Sequence, residues 1–182
     1  MNLPTCFELR HGFEIGATLD DVLAGSWDQP TIKLFGASVK IPRLTRWYGS
    51  KPYTYSGATN APEPMPQWLA GLAMRAAVAA GPGVFFNSAL LNYYRDGRDS
   101  VAWHSDDERE LGQQPTIASL TLGAGRTFAI RRKVSGQSWR VELADGDLLI
   151  MRGEAQSDYQ HAVPKTAKPV GPRVNITLRR VW

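Results

Sequence analysis

The chain has 182 residues, enough for one domain with a sizeable core, and 43% hydrophobic with 21% charged residues is an ordinary globular composition. No apolar run approaches the roughly 18 residues that a membrane-spanning helix needs, and a single cysteine, Cys6, excludes an internal disulfide. A net charge of +4 and a pI of about 9.4 tilt modestly toward a polyanionic partner such as nucleic acid. The lone thiol fits a reducing cytoplasm, the location expected here. The first ten residues, with Pro4, Glu8 and no apolar stretch, do not read as a signal peptide.

In chain order, residues 1–30 read as an irregular or partly helical lead-in. Residues 31–39 (TIKLFGASV) read as a strand, hairpin or loop with an exposed apolar tip. Residues 41–57 are rich in aromatics, Arg, Gly and Pro, which suggests a structured loop region. Residues 66–80 form the one convincing helix. Leu69, Leu72, Ala73, Ala76 and Ala77 recur at helical spacing, and Gly81-Pro82-Gly83 stops it.

Beyond that helix the pattern becomes β. Segments near 84–95, 101–104, 116–123, 126–133, 138–143, 147–152, 159–163 and 173–181 have strand composition. Turns such as Asp96-Gly97, Ser135-Gly136 and Asp145-Gly146 separate them. Many short strands with turn punctuation indicate a sandwich, barrel or jelly roll, and the pattern alone does not choose among these.

Three histidines, His11, His104 and His161, are available to bind a metal. His104 and Asp106 stand at i and i+2, which on a strand puts both side chains on one face. With His161 they compose a two-histidine, one-carboxylate triad, the set that holds iron(II) from one side and leaves positions open. His-x-Asp by itself is a short motif that arises readily by chance. The segment Arg173-Val174-Asn175-Ile176-Thr177-Leu178-Arg179 alternates a polar face with an apolar one. The polar face is either solvated, the simpler reading of an isolated strand, or a site for an anion, since arginine recognises carboxylates with two parallel hydrogen bonds.

Together, Asn92-x-Tyr94, His104-x-Asp106, the distal His161 and Arg173-x-Asn175-x-Thr177-x-Arg179 resemble the AlkB family of Fe(II)- and 2-oxoglutarate-dependent dioxygenases. The resemblance covers roughly residues 30–182. It implies a mainly β fold, the double-stranded β-helix or jelly roll, with flanking helices and an N-terminal substrate-recognition extension. A single domain over 1–182 is expected, with a nucleotide-recognition region at about 30–60 and a jelly-roll core at about 84–182. The implied metal ligands are His104, Asp106 and His161, which are also the catalytic residues. The implied cofactors are Fe(II), 2-oxoglutarate and O2. Arg173 would pair with the distal carboxylate of 2-oxoglutarate, helped by Tyr94. Asn92, Asn175, Thr177 and Arg179 would secure the rest of the cosubstrate.

The activity implied is oxidative demethylation of N-alkylated bases such as 1-methyladenine and 3-methylcytosine, in DNA or in RNA, with release of succinate, CO2 and formaldehyde. The partner is then alkylated nucleic acid, single- or double-stranded, and the enzyme a monomer. Candidate substrate contacts are Tyr55 and His104 for stacking, with Tyr53 nearby, and Asp107 for the positive charge of the damaged base. Phe35 would be a wedge into the base stack, with an ordinary core Phe as the equal alternative. Arg126 would contact phosphates or the substrate strand. Two other readings stay open: the same iron chemistry on a protein, lipid or small molecule, and a catalytically silent nucleic-acid-binding module.

Overall fold

The computed structural model describes residues 3–34, 36–49, 53–55, 58–60 and 63–182; at 34, 53–55 and 58–60 it describes the backbone alone. In chain order the elements are β1 (Phe7–Arg10), α1 (Leu19–Leu23), β2 (Thr31–Leu34), β3 (Ala37–Lys40), β4 (Leu44–Gly49), β5 (Tyr53–Tyr55), β6 (Ala58–Asn60) and α2 (Gln67–Ala80). The β-rich half follows with β7 (Ser88–Tyr94), β8 (Val101–His104), β9 (Ile117–Gly123), β10 (Arg126–Arg132), β11 (Ser138–Leu143), β12 (Leu148–Met151), β13 (Tyr159–Val163) and β14 (Arg173–Arg179).

Capping explains the helix boundaries. The Thr18 hydroxyl accepts the Asp21 N–H while Asp21 accepts the Thr18 N–H, a reciprocal box that starts α1. Gly81, at φ 117°, ends α2 by donating its N–H to the Ala77 carbonyl at 3.1 Å. No described helix is long and apolar enough to cross a membrane.

The strands form a six-stranded sheet ordered β1-β12-β9-β14-β7-β4 and a four-stranded sheet ordered β11-β10-β13-β8, both antiparallel. Two hairpins, β2–β3 and β5–β6, stand apart from them. The two sheets face each other as in the expected double-stranded β-helix.

Alternation along the large sheet's strands creates two cores. Outward residues such as Ala89, Leu91, Leu120, Val174, Ile176 and Leu178 pack against Leu69, Leu72 and Ala76 of α2. Leu69 and Leu72 are fully buried; each contributes about 1.5–3 kcal/mol of transfer free energy. Inward residues such as Leu90, Ile117, Leu149 and Met151 meet Phe128, Ile130, Leu143 and Val163 of the small sheet. The large sheet is therefore buried on both faces.

Every strand expected between 84 and 181 is present, and the helix over 66–80 is α2. Two N-terminal readings need correction. The lead-in contains β1, which adds to the large sheet through β12, Phe7 opposite Met151. The supposed loop region at 41–57 contains β4, whose Leu44–Gly49 pairs with β7 and closes the opposite edge. The large sheet thus reaches beyond the expected core at 84–182.

Candidate metal centre and active site

β14 runs between β9 and β7, and its register sets a polar stripe across three strands. Arg173 lies beside Tyr94, Asn175 beside both Asn92 and Thr121, and Thr177 beside Ser119. The apolar positions of β14 face α2, so the polar ones point between the sheets. Arg173 is 1% exposed and Arg179 3%. The solvated outer face expected of an isolated strand is thereby overturned: once α2 claims the apolar side, the polar side must be interior.

On the opposing sheet, β8 pairs with β13 so that His104 stands directly across from His161, their ring centroids 4.3 Å apart. Asp106 lies past the end of β8, so it does not share a strand face with His104 as their spacing suggested. It is brought back by two contacts. Its N–H donates to Gln156 Oε1 at 2.9 Å, and its Oδ1 accepts from Arg179 Nη2 at 2.7 Å. The neighbouring Ser105 hydroxyl donates to the Tyr159 carbonyl at 2.8 Å and fixes the same turn.

Asp106 then sits 4.0 Å from His104 Nε2 and 3.8 Å from His161 Nε2. One ligand atom from each of the three residues lies within 4.8 Å of the others. Burial works to raise the Asp106 carboxyl, but Arg179 and the two imidazoles outweigh it and hold it below its ordinary value. The carboxylate is therefore ionised in a buried place. Burial, with His104 alongside, pushes His161 down to about 3, so its imidazole is neutral and its lone pair available. His104 Nδ1 donates to the Ala102 carbonyl at 2.8 Å, which turns Nε2 toward Asp106. An ionised carboxylate and two imidazoles, with no thiolate, match the donor set of iron(II).

Deeper in the cleft, Arg173 donates through Nη2 to Thr121 Oγ1 at 2.9 Å and lies over the Tyr94 ring at 5.3 Å. Its Nε and Nη1 are buried and have no hydrogen-bond partner among the described residues. Burial, opposed by Tyr94, brings this guanidinium down to about 10, still charged at neutral pH. Two N–H donors fixed at the inner end of a cleft fit a carboxylate. Arg173, Asn92, Tyr94, Asn175, Thr177 and Arg179 line the same cleft as the triad.

Within that lining, Asn175 donates to Ser119 Oγ at 2.7 Å and to the Leu120 carbonyl at 3.1 Å, and accepts from the Thr177 hydroxyl at 2.9 Å. Asn92 accepts from Arg43 Nε at 2.7 Å. These amides hold the cleft wall rigid as well as lining it.

The expected substrate contacts fare differently. Asp107 is at the surface, its side chain 64% exposed and 3.8 Å from Lys133 Nζ. Arg126 is corrected from a strand contact to an internal clamp. It is 3% exposed, and its two terminal nitrogens donate to the main-chain carbonyls of Asp96, Asp99 and Pro164 at 2.8–3.0 Å. Tyr53 and Tyr55 lie on β5, but their side chains are outside the described residues, as is Phe35 altogether. Sequence reasoning missed Arg43, Ser119, Thr121 and Gln156 as site residues. Ser119 and Thr121 carried a signal, polar alternation within the apolar stretch of β9. Gln156 carried none, because only the fold brings it under Asp106.

The chain matches the family described as the 2OG-Fe(II) oxygenase superfamily over residues 14–179. It is 47% identical over 151 residues to alpha-ketoglutarate-dependent dioxygenase alkB homolog 3 of Mus musculus, covering 78% of this chain and 52% of that protein. To the Homo sapiens protein of the same name it is 44% identical over 166 residues, covering 86% and 57%. To DNA oxidative demethylase ALKBH2 of Homo sapiens it is 38% identical over 161 residues, covering 82% and 60%. The chain thus spans little more than half the length of these relatives. The solved structure of OsALKBH1 superposes with a TM-score of 0.65 over 99% of this chain and all of that one, at 15% identity, which speaks to the fold.

Proposed function

The chain belongs to the 2OG-Fe(II) oxygenase superfamily, in its AlkB branch, and on that premise we propose that it demethylates N-alkylated bases in DNA, with RNA as a second strand type. One observation carries the reading. A His104–Asp106–His161 cluster, with Asp106 and His161 buried and His104 half-buried, shares a cleft with Arg173, whose Nε and Nη1 have no partner among the described residues. When bound, iron(II) with 2-oxoglutarate and O2 supplies the oxidation of an N-methyl group, yielding succinate, carbon dioxide and formaldehyde.

The chain's own residues do the positioning. His104, Asp106 and His161 hold the metal. Arg179 keeps the Asp106 carboxylate ionised and oriented, and Gln156 fixes the backbone that carries it. Arg173 takes the distal carboxylate of the cosubstrate, its guanidinium set by Thr121 and Tyr94. Arg43 and Asn92, with Asn175 and Thr177, form a polar wall that keeps the cosubstrate from shifting.

A base reaches this cleft only when it is out of a helix stack. Bases such as 1-methyladenine and 3-methylcytosine carry positive charge, which the exposed Asp107 attracts; Lys133 at 3.8 Å offsets part of that field. Phe35, Tyr53 and Tyr55 are proposed contacts from a recognition region at about 30–60. The chain is taken to act as a cytoplasmic monomer, in keeping with a cysteine that is buried and unpaired.

The test incubates the protein with iron(II), 2-oxoglutarate and oligonucleotides carrying 1-methyladenine or 3-methylcytosine. Equal amounts of succinate and formaldehyde are expected. Succinate coupled only to protein, lipid or small-molecule substrates would move the reading to a different oxygenase. No succinate under any condition would leave a silent binding module.

A further inference from the structure

The register that turns His104 and His161 inward also fixes what the small sheet shows on its outer face. Ile130 pairs with His161, so the flanking pairs Ala129 with Ala162 and Arg131 with Gln160 face outward. Arg140 stands opposite Ala129, and Trp103 precedes the inward-facing His104. The two alanines leave this face shallow. A groove of about 720 Å3 runs between it and the β2–β3 hairpin and reaches His104. Its described lining holds the cations Lys40, Arg43, Arg140 and Lys165 and no acidic residue.

Trp103 is 37% exposed. The Arg131 guanidinium lies 4.5 Å from its ring centroid, and Gln160 Oε1 anchors that guanidinium at 3.0 and 2.7 Å. Trp103 lines the groove and Arg131 does not. The indole is thus braced by Arg131, which stays outside the groove, and borders the groove while part-exposed. A braced aromatic face within a cationic groove has the two elements that hold unpaired nucleic acid: stacking for a base and positive charge for the backbone. An acidic peptide would satisfy the charge and leave the flat ring unused. A duplex offers phosphates, but its base faces are already covered.

We propose that this groove seats the single strand flanking the target base, with one neighbouring base stacked on Trp103 and phosphates held by Arg140, Lys165 and Lys40. This deepens the demethylase reading and rests on it. It makes Trp103 a substrate-selecting residue for unpaired strands.

The experiment measures binding of a fluorescent 15-nucleotide single strand bearing one 3-methylcytosine, across a salt series, for the iron(II)-loaded protein and three variants. Trp103→Ala is expected to weaken binding about five- to hundredfold at every salt concentration. Trp103→Phe should recover most of the loss. Arg140→Gln should lower the slope of log affinity against log salt by about 1, while Trp103→Ala leaves that slope alone. Turnover of the 15-mer by Trp103→Ala should show a raised KM, with a methylated mononucleotide much less affected. Thermal melts establish that the variants fold; the graded Phe variant carries the test should the Ala variant not.

Binding within twofold of wild type for Trp103→Ala overturns the proposal. So does a blunt duplex, or a peptide of equal negative charge, that binds as tightly as the single strand. Formaldehyde release by the wild type alongside an indifferent Trp103→Ala overturns the groove alone. No formaldehyde from any methylated oligonucleotide overturns the demethylase reading on which it rests.

Discussion

Arg173→Met is the sharpest perturbation of the proposed cosubstrate site. The native guanidinium has one N–H on Thr121 and two, Nε and Nη1, with no partner among the described residues. Each charged hydrogen bond contributes about 1.5–3 kcal/mol net, so two to a cosubstrate carboxylate give about 3–6 kcal/mol. Breaking a buried ion pair costs about 3–5 kcal/mol, in agreement with that sum. At about 1.4 kcal/mol per factor of ten, a loss of about 3–5 kcal/mol should raise the KM for 2-oxoglutarate about 140- to 4,000-fold. Arg173→Lys keeps the charge but loses the fork, so the loss of one bond sets a rise of about ten- to hundredfold. The assay is succinate or carbon dioxide release against 2-oxoglutarate concentration with a methylated oligonucleotide saturating. A companion series uses 2-oxobutanoate, which lacks the distal carboxylate: wild type should discriminate strongly against it, and Arg173→Met should not. The cosubstrate-free Met variant should be no less stable to urea than wild type, since the native guanidinium is buried with two donors unmatched. A KM change under threefold, or a retained preference for 2-oxoglutarate, would show that Arg173 does not anchor the cosubstrate.

Gln156→Ala removes the acceptor that holds the Asp106 N–H at 2.9 Å. It should weaken iron(II) binding about ten- to hundredfold, as read by metal titration, with Gln156→Glu recovering part of the loss; unchanged affinity would mean that Arg179 alone positions Asp106. The pH dependence follows from His161. Its folded value of about 3 lies below the ordinary 6.5, so the unfolded chain binds the extra proton and stability falls as pH drops from about 6.5 toward 3. Asp106, also lowered, adds to the loss only below about 3.8. Urea midpoints between pH 7 and 4.5 should show this slope, and it should flatten in His161→Gln; an identical slope in that variant would place the titration elsewhere. Leu72→Ala, at the α2 contact with the large sheet, should cost about 2–5 kcal/mol in urea unfolding while leaving the KM for 2-oxoglutarate in place.

How far the sequence carried is clearest on β14. Its alternation was visible as Arg-x-Asn-x-Thr-x-Arg, and the strand is there, at Arg173–Arg179. Which side would be wet was not visible, because alternation reports two faces without saying what covers either. The helix over 66–80 was equally legible, but its packing on the outside of that strand is a long-range contact. The N-terminal strands were missed for a related reason. β1 and β4 are short edge strands whose partners, β12 and β7, lie far along the chain. Arg126 shows the opposite error. Its charge suggested a phosphate, whereas three main-chain carbonyls surround it.

By itself the sequence offered His104, Asp106 and His161 as candidate metal ligands, a set the family resemblance singled out, and it determined the β-rich organisation and the alternating, arginine-bearing segment at 173–179. Local periodicity and residue chemistry suffice for the organisation and the alternation. Only the tertiary structure decided that His104 meets His161 across a strand pair and that Asp106 is drawn in from beyond its strand by Gln156 and Arg179. It also decided that the arginines of β14 point inward and that Trp103 opens on a basic groove. These depend on register and on which faces are buried, and both are settled between segments distant in sequence, where the summed burial of two cores outweighs any local preference.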